Sequence, residues 1–205
     1  MRLFIAVPLP TELTARAAAL LPAALPAVRP VRPERMHVTL AFLGSTADPD
    51  LDRIVEAAGA AVAGQAPFEL AFSGAGRFPP TGRPRVVWLG IGDGREPLAA
   101  LAARVTGELR QRGRTFDDRP FAPHLTLARV RPDVSVPERR TIAAAVEALA
   151  VPDLRTRVDR IEVVESVLSP KGPRYTGRAE LPLASVASPT ARGASARTSW
   201  PTPPR

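Results

Sequence analysis

The stretch MHVTLAFLG at residues 36–44 returns in altered form as PHLTLARVR at residues 123–131. Together the two stretches hold both histidines of the chain, and each histidine stands in the pattern His-x-Thr-Leu. Polar and apolar residues alternate there, which predicts a half-buried β-strand at each place. Because successive side chains of a strand point to opposite faces, the histidine and the threonine share one face, and the apolar residues anchor the other.

Two such strands from two related lobes would gather His37, Thr39, His124 and Thr126 around one cleft. Imidazole has an unperturbed pKa of about 6.5, so near neutral pH one histidine can remove a proton while the other gives one. The threonine hydroxyls can donate to the oxygens of a phosphate held between the imidazoles. The pattern therefore favours displacement at phosphorus without a metal. A metal site is a weaker interpretation, because two histidines and no cysteine leave only scattered carboxylates as further ligands.

The two halves of the chain share one order of elements: a helix, a His-x-Thr-Leu strand, a second helix and a pair of strands. The hydrophobic spacing predicts helices at 11–25, 50–64, 96–113 and 137–150, and strands at 2–7, 36–43, 68–74, 85–92, 123–130, 155–169 and 174–183. The separation of the histidines is too long for a solenoid repeat and suits a duplicated lobe.

Composition bounds the remaining possibilities. The 205 residues carry a net charge of +8 and no cysteine, so disulfides, thiol nucleophiles and thiolate metal sites are excluded. Apolar runs are broken well before the length that a membrane-spanning helix needs. The opening MRLFIAVPLP reads as a strand, and we expect a cytoplasmic protein. Nearly all basic residues are arginine, which suits a phosphate-bearing partner but is also what a GC-rich genome would encode.

The chain is expected to form one bilobal domain over residues 1–184. Residues 185–205 are rich in Ser, Pro, Ala, Thr and Arg and lack any hydrophobic period. Such a segment cannot offset its ordering entropy by burial, which predicts a disordered C-terminal tail. Nothing resembles a coiled coil or a pairing edge, so we expect a monomer.

Taken together, several motifs resemble those of the RNA 2′,3′-cyclic phosphodiesterases, also called 2′-5′ RNA ligases, in the 2H phosphoesterase superfamily. The resemblance rests on RLFIAVPLP near the start, HVTLAFLG, FAPHLTLAR and the late VLSPKGPRY, in that order. It covers about residues 1–183. It implies an α+β fold of two pseudo-symmetric lobes, in which antiparallel sheets with outer helices face each other across a central cleft.

The resemblance also implies an activity. The expected reaction is hydrolysis of a 2′,3′-cyclic phosphate on RNA ends or nucleotides to a 2′-phosphomonoester, with no metal or other cofactor and with weak, reversible 2′-5′ ligation. His37 and His124 are the catalytic pair, and Thr39 and Thr126 bind the phosphate. We expect His124 to activate water and His37 to protonate the departing 3′-oxygen, although pseudo-symmetry allows the reverse.

Further residues are candidates for contacts to the substrate. Arg129 matches the phosphate-side arginine that the resemblance implies, but strict alternation would place it opposite His124, so the strand must end or bulge nearby. Phe42 could stack on a base at the cleft edge, with core packing as the favoured alternative. Tyr175 could contact a base or the RNA, although a structural hairpin is enough to explain both Tyr175 and Lys171. Three arginines of the proline-rich loop could contact RNA phosphates: Arg77, Arg83 and Arg85.

Other functions stay open at this point. The substrate could be another small cyclic or 2′-5′ phosphodiester. The chain could instead be a non-catalytic protein that binds RNA ends, although binding alone would not require two titratable groups. A purely structural α+β interaction protein is a third alternative, and it predicts no rate defect when either histidine is changed.

Overall fold

The computed structural model describes residues 1–114, 120–168 and 172–184. Within these residues, nine strands form one curled antiparallel sheet, with helices on one face. The strands are β1 (Arg2–Pro8), β2 (Val28–Pro30), β3 (His37–Ser45), β4 (Phe68–Phe78), β5 (Val86–Ile91), β6 (His124–Val130), β7 (Leu154–Val158), β8 (Arg160–Val167) and β9 (Arg174–Pro182). The helices are α1 (Thr11–Ala18), α2 (Leu51–Val62), α3 (Arg95–Gln111) and α4 (Val136–Glu147).

The strand order shows the expected duplication. The sheet runs β7-β4-β5-β6-β3-β1-β8-β9, and β2 pairs with β6 beside the end of β3. The two histidine strands, β6 and β3, lie next to each other at the centre and meet in a single pairing, Val38 opposite Leu125. Three further strands follow on each side, so β6 with its neighbours forms one lobe and β3 with its neighbours forms the other. The predicted bilobal α+β fold class is confirmed.

The core lies between the helices and the outer face of the sheet. Helix α2 packs on β8 and β9, and α3 packs on β3, whereas α4 packs on β4 and α1 contacts β7. The buried residues of the histidine strands belong to this face: Val38, Leu40, Leu125 and Leu127 are all at most 4% exposed. Since neighbouring side chains in a strand point to the other face, the histidines and threonines lie on the helix-free side, which forms the cleft.

Two element predictions differ most from the structure. The first helix was expected over 11–25 but ends at Ala18, because Pro22 lacks an N–H and its ring would clash with the carbonyl four residues earlier. The strand expected at 155–169 is two strands interrupted at Asp159. Strand β7 pairs with β4 at one edge of the sheet, whereas β8 pairs with β1 in the other lobe.

Three further expectations concern membrane-spanning helices, the last hairpin and the C-terminal tail. No helix of the described residues is long and apolar enough to cross a membrane. The predicted hairpin of the last two strands is present, since β8 pairs with β9 from Arg160 opposite Pro182 to Val167 opposite Arg174. The predicted tail, 185–205, lies outside the described residues, so the division of the chain at residue 184 stays a prediction.

Candidate active site

The two His-x-Thr-Leu motifs meet at the centre of the sheet. Val38 and Leu125 form the one pairing between β3 and β6, and both side chains point into the core. The residues flanking them therefore point to the cleft. Because the strands are antiparallel, His37 lies on the side of Thr126, and His124 lies on the side of Thr39. The four predicted side chains thus surround one point on the cleft face.

Both imidazoles are oriented in the same way. The Nδ1 atom of His37 lies 2.8 Å from the carbonyl oxygen of Arg35, and the Nδ1 atom of His124 lies 2.7 Å from that of Ala122. A carbonyl oxygen only accepts, so Nδ1–H donates and the neutral ring carries its lone pair on Nε2. Neither Nε2 has a hydrogen-bond partner among the described residues, so both are available to a substrate.

The threonine hydroxyls are available as well. Thr39 and Thr126 are half-buried, and neither hydroxyl makes a hydrogen bond within the part of the chain that the structure describes. Other threonines, such as Thr14, do bond a backbone carbonyl with the hydroxyl. A hydroxyl without an internal partner beside an imidazole is suited to donate to a non-bridging phosphate oxygen.

Aromatic rings enclose each imidazole. His37 stacks on Phe4, with ring centroids 4.7 Å apart, and meets the edge of Tyr175 at 5.4 Å. His124 meets Phe78 edge-on at 5.0 Å and lies 6.4 Å from Trp88. These rings exclude water and hold the imidazoles in place.

The enclosure lowers the pKa of both histidines. Burial lowers the pKa of His37 to about 4; the hydrogen bond to the Arg35 carbonyl opposes this shift, and the positive charges of His124 and Arg129 add to it. Burial also lowers the pKa of His124, against the hydrogen bond to Ala122 and together with the charge of Arg129. Both imidazoles are therefore neutral at pH 7 in the free protein, and an anion between them would raise both pKa values.

A bulge brings Arg129 to the cleft. Leu127 and Ala128 are consecutive and both fully buried, and the register of β6 against β5 shifts between Val87 and Trp88. The extra residue resets the alternation, so Arg129 is exposed on the same face as His124 and Thr126. The charge of Arg129 affects the pKa of both histidines, which is consistent with a position near the phosphate.

Comparison with known proteins identifies the family of this chain. The sequence model of the 2′-5′ RNA ligase superfamily matches residues 9–169, which include both motifs. The chain belongs to that superfamily. A curated relative from Archaeoglobus fulgidus, named RNA 2′,3′-cyclic phosphodiesterase, is 36% identical over 85% of this chain and 96% of its own length. One from Thermus thermophilus with the same name is 35% identical over 86% and 87%.

Solved structures show the same fold. A crystal structure of a Thermus thermophilus protein superimposes with a TM-score of 0.73 at 30% identity, covering 91% of this chain and all of its own. A crystal structure of Escherichia coli LigT complexed with 3′-AMP superimposes with a TM-score of 0.67 at 29% identity, covering 89% and 97%. The superfamily fold therefore extends over nearly the whole described chain.

Phe42 lies in the cleft of this superfamily member and not in its core. Strand β3 repeats the burial pattern of β6, with Leu40 and Ala41 consecutive and buried, so Phe42 takes the position in β3 that Arg129 takes in β6. The favoured core packing of Phe42 was wrong: its side chain is 63% exposed. Both motifs share Thr-Leu-Ala, in which two apolar residues are consecutive. This break in the alternation is the sequence signal for the two bulges.

The structure separates the remaining candidates. Tyr175 contacts the ring of His37 and so lies in the site. Arg77 follows the cleft-facing Gly76 in β4, points to the opposite face and lies 3.9 Å from Glu147 of α4, so it is not brought to the cleft. Arg83 donates to the carbonyl of Pro132 at 2.8 Å and fastens its loop to the chain beyond β6. Lys171 lies outside the described residues.

Three aromatic residues of the site were missed from sequence: Phe4, Phe78 and Trp88. The strands of Phe4 and Trp88 were predicted, whereas the strand predicted at 68–74 stopped short of Phe78, the last residue of β4. Sequence alone also did not show which strands flank the histidines. Trp88 is the clearest case, since its indole lies against Gly76 of the neighbouring strand, where no Cβ would fit. A tryptophan in one predicted strand and a glycine near the end of the preceding strand are a weak sequence signal that the indole lies over the glycine.

The described residues offer no evident metal centre. No group of three or more His, Cys, Asp or Glu side chains lies close enough together to hold an ion, within residues 1–114, 120–168 and 172–184. What the site does offer is two imidazoles, two hydroxyls and a guanidinium around one point. These groups can move two protons and neutralise an anion.

Proposed function

We propose that this protein hydrolyses 2′,3′-cyclic phosphates of RNA ends or nucleotides to 2′-phosphomonoesters with a pair of histidines. One imidazole Nε2 removes a proton from water as its oxygen attacks phosphorus. The P–O3′ bond breaks, and the other imidazole gives a proton to the departing 3′-oxygen. The observation that carries the proposal is the pair of unpartnered Nε2 atoms, within the described residues, on one face across the Val38–Leu125 pairing. The names of the curated relatives support this substrate class.

The phosphate is held by two hydroxyls and a guanidinium. The Thr39 and Thr126 hydroxyls donate to the non-bridging oxygens, and the Arg129 guanidinium neutralises the charge that develops in the transition state. The partly desolvated cleft strengthens these interactions. Reversible 2′-5′ ligation would use the same groups, with a 2′,3′-cyclic end and a 5′-hydroxyl in the place of water.

The division of acid and base between the histidines depends on which imidazole holds the proton once substrate is bound. In the free protein His124 gains a proton before His37, because His37 is more deeply buried and the charge of His124 further lowers the pKa of His37. The expected assignment, with His37 as the acid, therefore requires the bound phosphate to raise the pKa of His37 more than that of His124. The reverse assignment requires no such change of order.

Single alanine variants test the mechanism. With cytidine 2′,3′-cyclic phosphate in EDTA, His37→Ala and His124→Ala are each expected to lose at least about 100-fold in kcat, because each removes one proton transfer. The double variant should lose little more than either single variant, since the two groups act as a unit. Near-normal activity of either single variant would contradict the mechanism.

An analogue with sulfur as the 3′-bridging atom tells the two roles apart. A thiolate leaves without a proton, so the variant that lacks the acid should recover most of its rate on this substrate, and the variant that lacks the base should not. Recovery in His37→Ala supports the expected assignment, and recovery in His124→Ala supports the reverse. Recovery in neither would contradict general-acid catalysis by this pair.

The rival proposals give different results in the same assay. A non-catalytic protein that binds RNA ends would bind the cyclic nucleotide and release it unchanged. A phosphodiesterase for another small phosphodiester would hydrolyse that compound and spare the 2′,3′-cyclic nucleotide. A cytoplasmic location and a monomeric state stay predictions.

A further inference from the structure

Strand β2 was not predicted from the sequence, and it places a second arginine beside Arg129. In the pairing of β2 with β6, Val28 lies opposite Val130 and Arg29 lies opposite Arg129. The two valines belong to the core side, where Val28 packs against the cluster that contains Val130. Alternation therefore directs both arginines to the cleft side.

Among the described residues, neither arginine is neutralised by an acidic side chain. Arg29 and Arg129 are both exposed, and neither makes an ion pair or a hydrogen bond with its side chain among the described residues. Arg131, two residues further along the chain, is different: it lies 3.4 Å from Glu138 and 3.9 Å from Asp133. Within the residues that the structure describes, acidic partners are thus present for Arg131 at the same end of β6 but not for the two arginines on the cleft side.

Two like charges directly opposite each other in adjacent strands destabilise a sheet. Their Cα atoms are about 5 Å apart in such a pairing, so the two guanidinium groups share one region of the surface. An anion that contacts both would remove this repulsion. The arginine-rich composition explains many exposed arginines, but it does not explain why this pair lacks acidic partners, within the described residues, on the side of the histidines.

We propose that Arg29 binds the phosphodiester on the 5′ side of the terminal nucleotide, so that the cleft recognises an RNA strand and not only its cyclic end. This inference rests on the proposed function, since it takes the cyclic phosphate to lie between His37 and His124. Arg29 and Arg129 lie level with each other, beyond Thr126 along the sheet, so both are on the same side of that point. The two arginines thus offer positive charge next to the reacting phosphate, as basic grooves for single strands do.

A cycle of two proteins and two substrates tests the inference. The substrates are two dinucleotides that end in a 2′,3′-cyclic phosphate, one with a normal internal phosphodiester and one with a neutral methylphosphonate in its place. For the unaltered protein, kcat/KM should fall about tenfold with the neutral linkage, as expected for the loss of one charge-assisted contact. For Arg29→Gln, the normal linkage should be no better than the neutral one.

Arg140→Gln provides the matched control. Arg140 is an exposed arginine of α4, on the outer side of the sheet, so its replacement makes the same change of net charge away from the cleft. This variant should keep the tenfold preference for the charged linkage, which is about the size of one charge-assisted contact. If Arg29→Gln also keeps the full preference, the inference is overturned. Failure of the proposed function is seen separately, because the unaltered protein would then leave cytidine 2′,3′-cyclic phosphate unhydrolysed.

Discussion

At the residue scale, the candidate site was largely predictable from the sequence. A scarce residue used twice in one pattern identified His37 and His124, and alternation along the strands added the two threonines. Phe42 could not be placed by alternation alone, because the bulge in β3 reverses the phase after Leu40. Arg29 was also missed, since three residues of β2 carry too little pattern to predict a strand.

The depressed pKa of His37 predicts a pH-dependent stability. The imidazole is neutral in both states above its unfolded pKa of about 6.5, so it causes no pH dependence there. As pH falls below about 6.5, the unfolded chain gains a proton that the folded protein takes up only near its pKa of about 4. Between about pH 7.5 and about pH 4.5 this linkage lowers the free energy of unfolding by roughly 2 to 3 kcal/mol.

His37→Gln removes this linkage. Urea denaturation of the variant at the two pH values should therefore show a decrease in the free energy of unfolding that is smaller by roughly 2 to 3 kcal/mol than in the unaltered protein. The comparison between the proteins cancels the effects of the carboxylates, which titrate in both. An equal decrease in the two proteins would show that His37 is not held neutral by burial.

At the element scale, repeated motifs predicted the strands of the site, and the neighbours of those strands required the structure. The separation of β7 from β8 by the single residue Asp159 is an example: the stretch reads as one long strand, yet its halves lie in different lobes. The hydrophobic period reports burial on a face and carries no information on pairing partners. Long-range pairing therefore decides which aromatic rings enclose the histidines.

Helix α4, which covers the outer face behind β6, has a capping box at its N-terminus. The Ser135 hydroxyl accepts from the Glu138 N–H at 3.4 Å, and the Glu138 carboxylate accepts from the Ser135 N–H at 2.8 Å. Ser135→Ala should lower the free energy of unfolding by about 1 kcal/mol, measured by urea denaturation. Glu138→Gln keeps a side chain suited to this position and should cost less. If Ser135→Ala costs nothing, the cap does not stabilise α4.

On the scale of the whole molecule, duplication explains why the site lies where it does. Two lobes related by a pseudo-two-fold axis place equivalent strands side by side, so each lobe supplies one imidazole and one hydroxyl. The lobes differ at equivalent positions, because β3 presents the aromatic ring of Phe42 where β6 presents the charge of Arg129. The two ends of the cleft therefore differ chemically. Under the proposed function, this difference lets the cleft bind an RNA strand in one orientation, so that only its 3′ end reacts.

The most direct test of the two-histidine mechanism is the identity of the product formed from cytidine 2′,3′-cyclic phosphate in EDTA, determined by phosphorus NMR. We expect cytidine 2′-phosphate alone, formed without added metal, because the 3′-oxygen departs as a histidine protonates it. Cytidine 3′-phosphate as the product would contradict the assignment of the leaving oxygen. Hydrolysis that EDTA abolishes would contradict catalysis by the two histidines without a metal.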